Sequence, residues 1–216
     1  MAASGSKGRY ATKNSHLYGR GFNLKRKTAV EFWQYGFSDL MANINRGVFA
    51  KWMVASILGV KPSPRDVLRE FDFVYEAKSR PVSVFVKASA VLQVWGPTRH
   101  FEFDGMKPDR LKKDGITYTG KRSFWSDLYV FAVQMHESEK GWDAFDLDQW
   151  RFWVLRAKDL AAAEKASGAG DMVTIALGRV RKLYTPLARR YNLPDPLEAS
   201  DLKDAIEVLA SRLRTG

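Results

Sequence analysis

Residues 69 to 95, REFDFVYEAKSRPVSVFVKASAVLQVW, constrain the fold more than any other stretch, because they read as a β-hairpin with an aspartate on one strand and a lysine on the next. Asp72 sits in an alternating apolar run, Ser79, Arg80 and Pro81 supply a turn, and Val82, Val84 and Val86 form a second run that ends at Lys87. Ser89, Gln93 and Trp95 follow. Taken alone, Asp72 and Lys87 on neighbouring strands make an ordinary cross-strand ion pair, worth roughly 0.2–1 kcal/mol.

The rest of the chain supplies a mixture of periodicities. Phe37, Leu40, Met41, Ile44, Val48, Trp52 and Ala55 recur at spacings of three and four, so 31–58 is expected to be one amphipathic helix, with a break near Gly47. Strands are expected at about 71–76, 82–92 and 99–104, followed by an exposed basic loop over 106–121. The mostly apolar run 127–135 reads as a strand buried in the sheet, and WRFWVL at 150–155 as the last strand. A helix begins near Asp159, and 201–213 is a second amphipathic one. Asp143, Asp146 and Asp148 lack the glycine and distal glutamate of a calcium loop, which leaves them a capping or turn role.

Composition narrows the chemistry. There is no cysteine, so disulfides and thiolate metal sites are excluded. His16, His100 and His136 show no ligand spacing, which argues against zinc and against a Ser-His-Asp triad. No apolar run approaches the ~20 residues of a membrane span, so a cytoplasmic protein without a membrane partner is expected. Of the net charge of +11, the first 27 residues supply +7 with no acidic residue, from Lys7, Arg9, Lys13, Arg20, Lys25, Arg26 and Lys27. Gly, Ser, Asn and Thr surround them, as in a flexible basic arm suited to a polyanion. Arg179, Arg181, Lys182, Arg189 and Arg190 form a second basic cluster, with Tyr184 and Tyr191 interleaved.

In their order along the chain, these residues resemble the PD-(D/E)XK, or restriction-endonuclease-like, superfamily, and within it a set of small bacterial proteins. The similarity extends from the hairpin to SDLMANINRGVFA at Ser38 to Ala50, to the strand Asp127 to Phe131 and to Asp146 to Leu155, and it covers roughly residues 31–185. It implies an α/β fold with a mixed central sheet flanked by helices. The chain then divides into a basic flexible arm (1–30), a nuclease-like core (31–165) and a C-terminal helical extension (166–216) packed on that core.

The resemblance also implies catalytic positions at Asp72, Lys87 and Gln93, with Asp72 as the metal ligand, and Mg²⁺ as cofactor if the protein is active. Two departures stand against activity. The second strand of active members carries Glu-x-Lys, and Phe85 stands where that glutamate belongs; many relatives carry a glutamate on the preceding helix, and Lys51 stands there. Mg²⁺ wants oxygen ligands in near-octahedral geometry. Asp72 alone is a thin supply, and Lys51, Asp72 and Lys87 sum formally to +1, which repels a divalent cation and attracts a phosphate. The expectation is therefore a nucleic-acid-binding protein, with DNA ahead of RNA, whose cleavage is weakened or lost. Lys25, Arg26, Lys27, Arg46, Lys51, Lys112, Lys113, Arg181 and Lys182 are the candidate backbone contacts.

Two alternatives stay open. An active Mg²⁺-dependent endonuclease would need a relocated acid, for which Glu31, Asp39, Glu70 and Glu102 are candidates, or a literal Glu-x-Lys at Glu76 and Lys78 used with Asp66. A structural or adaptor subunit would use the degenerate core within a larger assembly, with a protein partner or a second copy of the chain.

Overall fold

The computed structural model describes residues 11, 13–19, 22–61, 70–112, 117–168 and 172–213, with the side chains of 16–27 outside that description. The elements run β1 (His16–Gly19), β2 (Phe22–Thr28), α1 (Ala29–Phe37), α2 (Asn43–Ile57), β3 (Phe73–Glu76) and β4 (Pro81–Ala90). Short strands β5 (Leu92–Gln93), β6 (Gly96–Pro97), β7 (Glu102–Phe103), β8 (Asp109–Leu111) and β9 (Tyr118–Arg122) precede β10 (Leu128–Gln134) and β11 (Trp150–Arg156). Helix α3 (Ala157–Ser167), β12 (Ile175–Ala176), α4 (Leu177–Tyr191) and α5 (Leu202–Ala210) complete the chain.

The result is an α/β fold on a mixed four-stranded sheet in the order β11-β10-β4-β3. β10 lies parallel to β4 and antiparallel to β11, and β3 pairs antiparallel with β4. All seven residues of β10 are buried, as the continuous apolar run LYVFAVQ demands of a central strand. Helix α2 packs on β4, while α3, α4 and α5 pack on β11. Trp150, Tyr129, Tyr184, Phe103, Phe131 and Phe152 are the largest wholly buried side chains among the described residues.

Several local expectations are corrected. The helix expected over 31–58 is two helices, broken at 38–42 and not at Gly47, because Asp39 Oδ1 accepts the backbone N–H groups of Met41 (3.0 Å) and Ala42 (3.4 Å) and so competes with the helical ladder. Thr28 and Glu31 form a reciprocal capping box that starts α1. The stretch expected to be a flexible arm contains the β1–β2 hairpin, and the expected basic loop contains the β8–β9 hairpin. The strand expected over 99–104 shrinks to two residues, paired with β12. Asp143 and Asp146 do make turns, accepting from Phe145 N–H and Asp148 N–H. No described helix is long and apolar enough to cross a membrane.

Asp127 ties the start of β4 to that of β10. Its carboxylate accepts from Arg80 Nη2 (2.8 Å), Ser83 N–H (2.9 Å) and Ser83 Oγ (2.9 Å). Asp127→Ala is expected to lower the unfolding free energy by about 1–2 kcal/mol in urea, since three partly buried donors lose a charged acceptor. An unchanged urea midpoint would contradict this account of the strand start.

Candidate nucleic-acid interface

The hairpin expected from the sequence places its charged residues together. Asp72 immediately precedes β3; its N–H extends the ladder to Val84 O (2.9 Å), and its Oδ2 accepts the Val86 N–H (2.7 Å), beyond the last β4 residue that pairs with β3. The other carboxylate oxygen meets Lys51 Nζ from α2 at 2.6 Å. Phe85 and Lys87 alternate onto one face of β4. Lys87 Nζ lies 4.6 Å from the centroid of the Phe85 ring and Lys51 Nζ 5.7 Å from it, so two ammonium groups share one aromatic side chain.

Lys87 is the unusual member of this group. Among the described residues it makes no hydrogen bond or ion pair; it lies over the Phe85 ring, with Asp72 and Asp104 near enough to act on its charge. Burial of the ammonium and the nearby charge of Lys51 push its pKa down to about 8, against the opposing pull of Asp72 and Asp104. Gly105 closes over it: φ there is +63°, and a Cβ on that residue would come within 3.2 Å of Lys87 Nζ.

Asp104 is the group that sequence reasoning missed. The β7–β12 pairing brings the loop after Phe103 over Lys87, and Thr174 Oγ1 donates to Asp104 Oδ1 at 3.0 Å. The Gly105 N–H and this hydroxyl hold its carboxyl below the usual range. With Asp104 included, the four charges sum to zero, not the +1 expected. The signal available in the sequence was the Asp-Gly pair at the end of an aromatic run, but only the tertiary pairing shows where it points.

Other candidates separate into buried and exposed. Arg46 is 3% exposed, with its guanidinium bonded to Met41 O, Asn43 Oδ1 and Gln93 Oε1, and burial lowers its pKa to about 10. It therefore braces the interior and is no surface contact. Gln93 is buried as well, and its amide nitrogen donates to Ala90 O (2.6 Å), so both ends of its side chain are engaged within the fold. Tyr184 is wholly buried and donates to Pro194 O, which removes it as a stacking residue. Lys112, Arg181 and Lys182 are exposed. Arg181 lines a cavity of 340 Å³ with Arg99 and His100, beside the β7–β12 pair that leads to Asp104. Lys25, Arg26 and Lys27 lie on β2, their side chains outside the described ones, and Lys113 lies outside the described residues altogether.

The four acids considered as relocated ligands are placed elsewhere. Glu31 caps α1, Asp39 caps the turn before α2, Glu70 pairs with Arg110 (2.9 Å), and Glu102 is exposed on β7. Glu76 and Lys78 sit at the hairpin turn, where Lys78 N–H donates to Glu207, and Asp66 lies outside the described residues. The donor set fits Mg²⁺ poorly: the oxygens of Asp72 are already engaged by an ammonium and a backbone N–H, and a second ammonium stands beside them.

No protein-family model matches the chain, and no curated protein matches it. Among solved structures it is similar to a bacterial homing endonuclease, I-Ssp6803I, with 17% identity and a TM-score of 0.35 over 63% of this chain and 78% of that one.

The half-buried ammonium carries a consequence for stability. Below pH 8 Lys87 is charged in both folded and unfolded chains, and the folded state bears the desolvation cost. As pH climbs from about 8 toward the unfolded value of 10.5, the folded chain releases its proton first and stability rises. Lys87→Met is expected to stabilise the protein at pH 7 by on the order of 1–3 kcal/mol, with the advantage shrinking above pH 8. Urea unfolding of both proteins at pH 7 and pH 10 checks this, and a destabilised variant at pH 7 would overturn it.

Proposed function

We propose that this chain is a nucleic-acid-binding protein of restriction-endonuclease-like build, in which the position of a hydrolytic centre holds a backbone phosphate without cutting it. The observation that supports the reading is Lys87, a half-buried ammonium that makes no hydrogen bond or close ion pair among the described residues, with Asp72 and Asp104 acting on it only from a distance. A cation partly removed from water without a direct anionic contact is costly, and an anion arriving from outside would offset that cost. Lys51, 5.7 Å from the same ring, adds a second donor. Phosphate oxygens suit this arrangement, since an ammonium binds them as a point charge without demanding bidentate geometry. Exposed Arg99, Arg181 and Lys182 extend positive charge along the neighbouring β7–β12 edge.

Binding of this kind follows the backbone and carries no sequence preference. DNA is proposed ahead of RNA, since a cluster of lysines suits the regular backbone of a duplex. A second reading, an active endonuclease, is favoured by one observation: Asp72 and Asp104 both lie close enough to Lys87 to raise its pKa.

Gel shifts and cleavage assays on the same plasmid and single-stranded DNA, in EDTA, Mg²⁺ or Mn²⁺, separate the two readings. Binding in EDTA without cutting in either metal is expected. Lys87→Met should weaken binding to duplexes of any sequence and reduce the log-log salt slope by about 0.9, the contribution of one phosphate. Cutting abolished by Asp72→Ala or Asp104→Ala would establish the second reading, and affinity unchanged by Lys87→Met would remove the first.

A further inference from the structure

A cavity of 340 Å³ lies where β7 meets the start of α4. Its frame is pinned through the backbone: Ala176 pairs with Glu102, Leu177 N–H donates to Phe101 O (3.0 Å), and His100 N–H donates to Thr98 Oγ1 (3.2 Å). Phe101 and Leu177 supply an apolar wall. The polar lining is uncommitted. Among the described residues, the side chains of Arg99, His100, Glu102 and Arg181 make no hydrogen bond or ion pair, and all four residues are exposed. Polar groups gathered around one concavity without engaging one another are available to a ligand.

Size and charge select the occupant. The volume sits at the small end of the roughly 300–1,000 Å³ of ligand cavities, which suits one unit of a polymer and not a folded partner. With His100 neutral, the guanidiniums of Arg99 and Arg181 against the carboxylate of Glu102 leave a positive sum, so an anion is attracted. Two guanidiniums match a terminal phosphomonoester, which carries about −1.5 to −2 at pH 7, better than an internal phosphodiester with its single charge. The planar fork of arginine also takes phosphate oxygens in pairs. Glu102 repels a bare phosphate, but it accepts an N–H from a group attached to one, such as the amino edge of a base. Phe101 lies three residues before Asp104, which acts on Lys87, so at most about 11 Å of chain separates the cavity from the surroundings of that ammonium.

We infer that this cavity receives the phosphorylated end of a nucleic-acid strand, with Arg99 and Arg181 on the terminal phosphate and Glu102 on an amino group of the terminal base. This end preference rests on the nucleic-acid reading of the Lys87 site. Fluorescence anisotropy of the full chain with one short labelled oligonucleotide, carrying a 5′-phosphate, a 3′-phosphate or hydroxyls at both ends, tests it. One of the phosphorylated forms should bind about tenfold tighter than the hydroxyl form, and which one does so gives the polarity of the strand. Arg99→Gln combined with Arg181→Gln should erase that gain with an unchanged circular dichroism spectrum, since both residues are exposed. Lys87→Met should weaken all three forms alike and leave the gain in place. Equal affinity for all three forms, or a phosphate preference that survives the double substitution, would overturn the inference while leaving backbone binding intact. No binding to any form would remove the nucleic-acid reading and the end preference with it.

Discussion

The parallel pairing of β4 with β10, from Val84 opposite Leu128 to Ala90 opposite Gln134, is the constraint from which the rest of the architecture follows. A parallel pair needs a crossover and both faces covered. The long excursion from Val91 to Asp127 supplies the crossover, and the burial of every β10 residue shows that both faces are covered. The same register sets Phe85 beside Tyr129 and Lys87 beside Phe131. Edge-to-face contacts of Phe85 with Tyr129 (5.5 Å) and Phe103 with Phe131 (4.9 Å) wall this part of the sheet with rings. An ammonium among such rings loses much of its hydration, which is the physical origin of its lowered pKa.

Two opposite solutions to charge burial lie within one cluster. Asp72 is fully satisfied by Lys51 and the Val86 N–H, and it joins α2 to the sheet edge. Lys87 has the Phe85 ring and only the more distant pull of Asp72 and Asp104. Cation–π attraction of about 0.5–2 kcal/mol offsets only part of a desolvation penalty. A protein selected for stability alone would place an apolar residue there. Local destabilisation retained at one position of an otherwise well-packed sheet is the pattern expected of a binding site.

The sheet was legible in the sequence because burial dictates it residue by residue: LYVFAVQ cannot sit anywhere but a central strand, and the alternation before Lys87 fixes a hairpin. The proximity of Lys51, Asp72 and Lys87 was also legible, through the order of motifs. What failed depended on competition or on distance. Gly47 looked like a helix break, but Asp39 made the break instead by capturing two backbone N–H groups. Arg46 and Gln93 looked available for substrate, and their mutual hydrogen bond in the interior could not be read from residues 47 positions apart. Asp104 stayed hidden because its position depends on β7 meeting β12 across some seventy residues.

The claim that Lys87 awaits an external phosphate is tested most directly by measuring its own titration. The ¹⁵N resonance of the Lys87 Nζ, followed against pH in the free protein and with a short duplex bound, should report a pKa of about 8 that moves upward on binding, because a phosphate favours the charged form. A pKa that is the same with and without DNA would contradict the account.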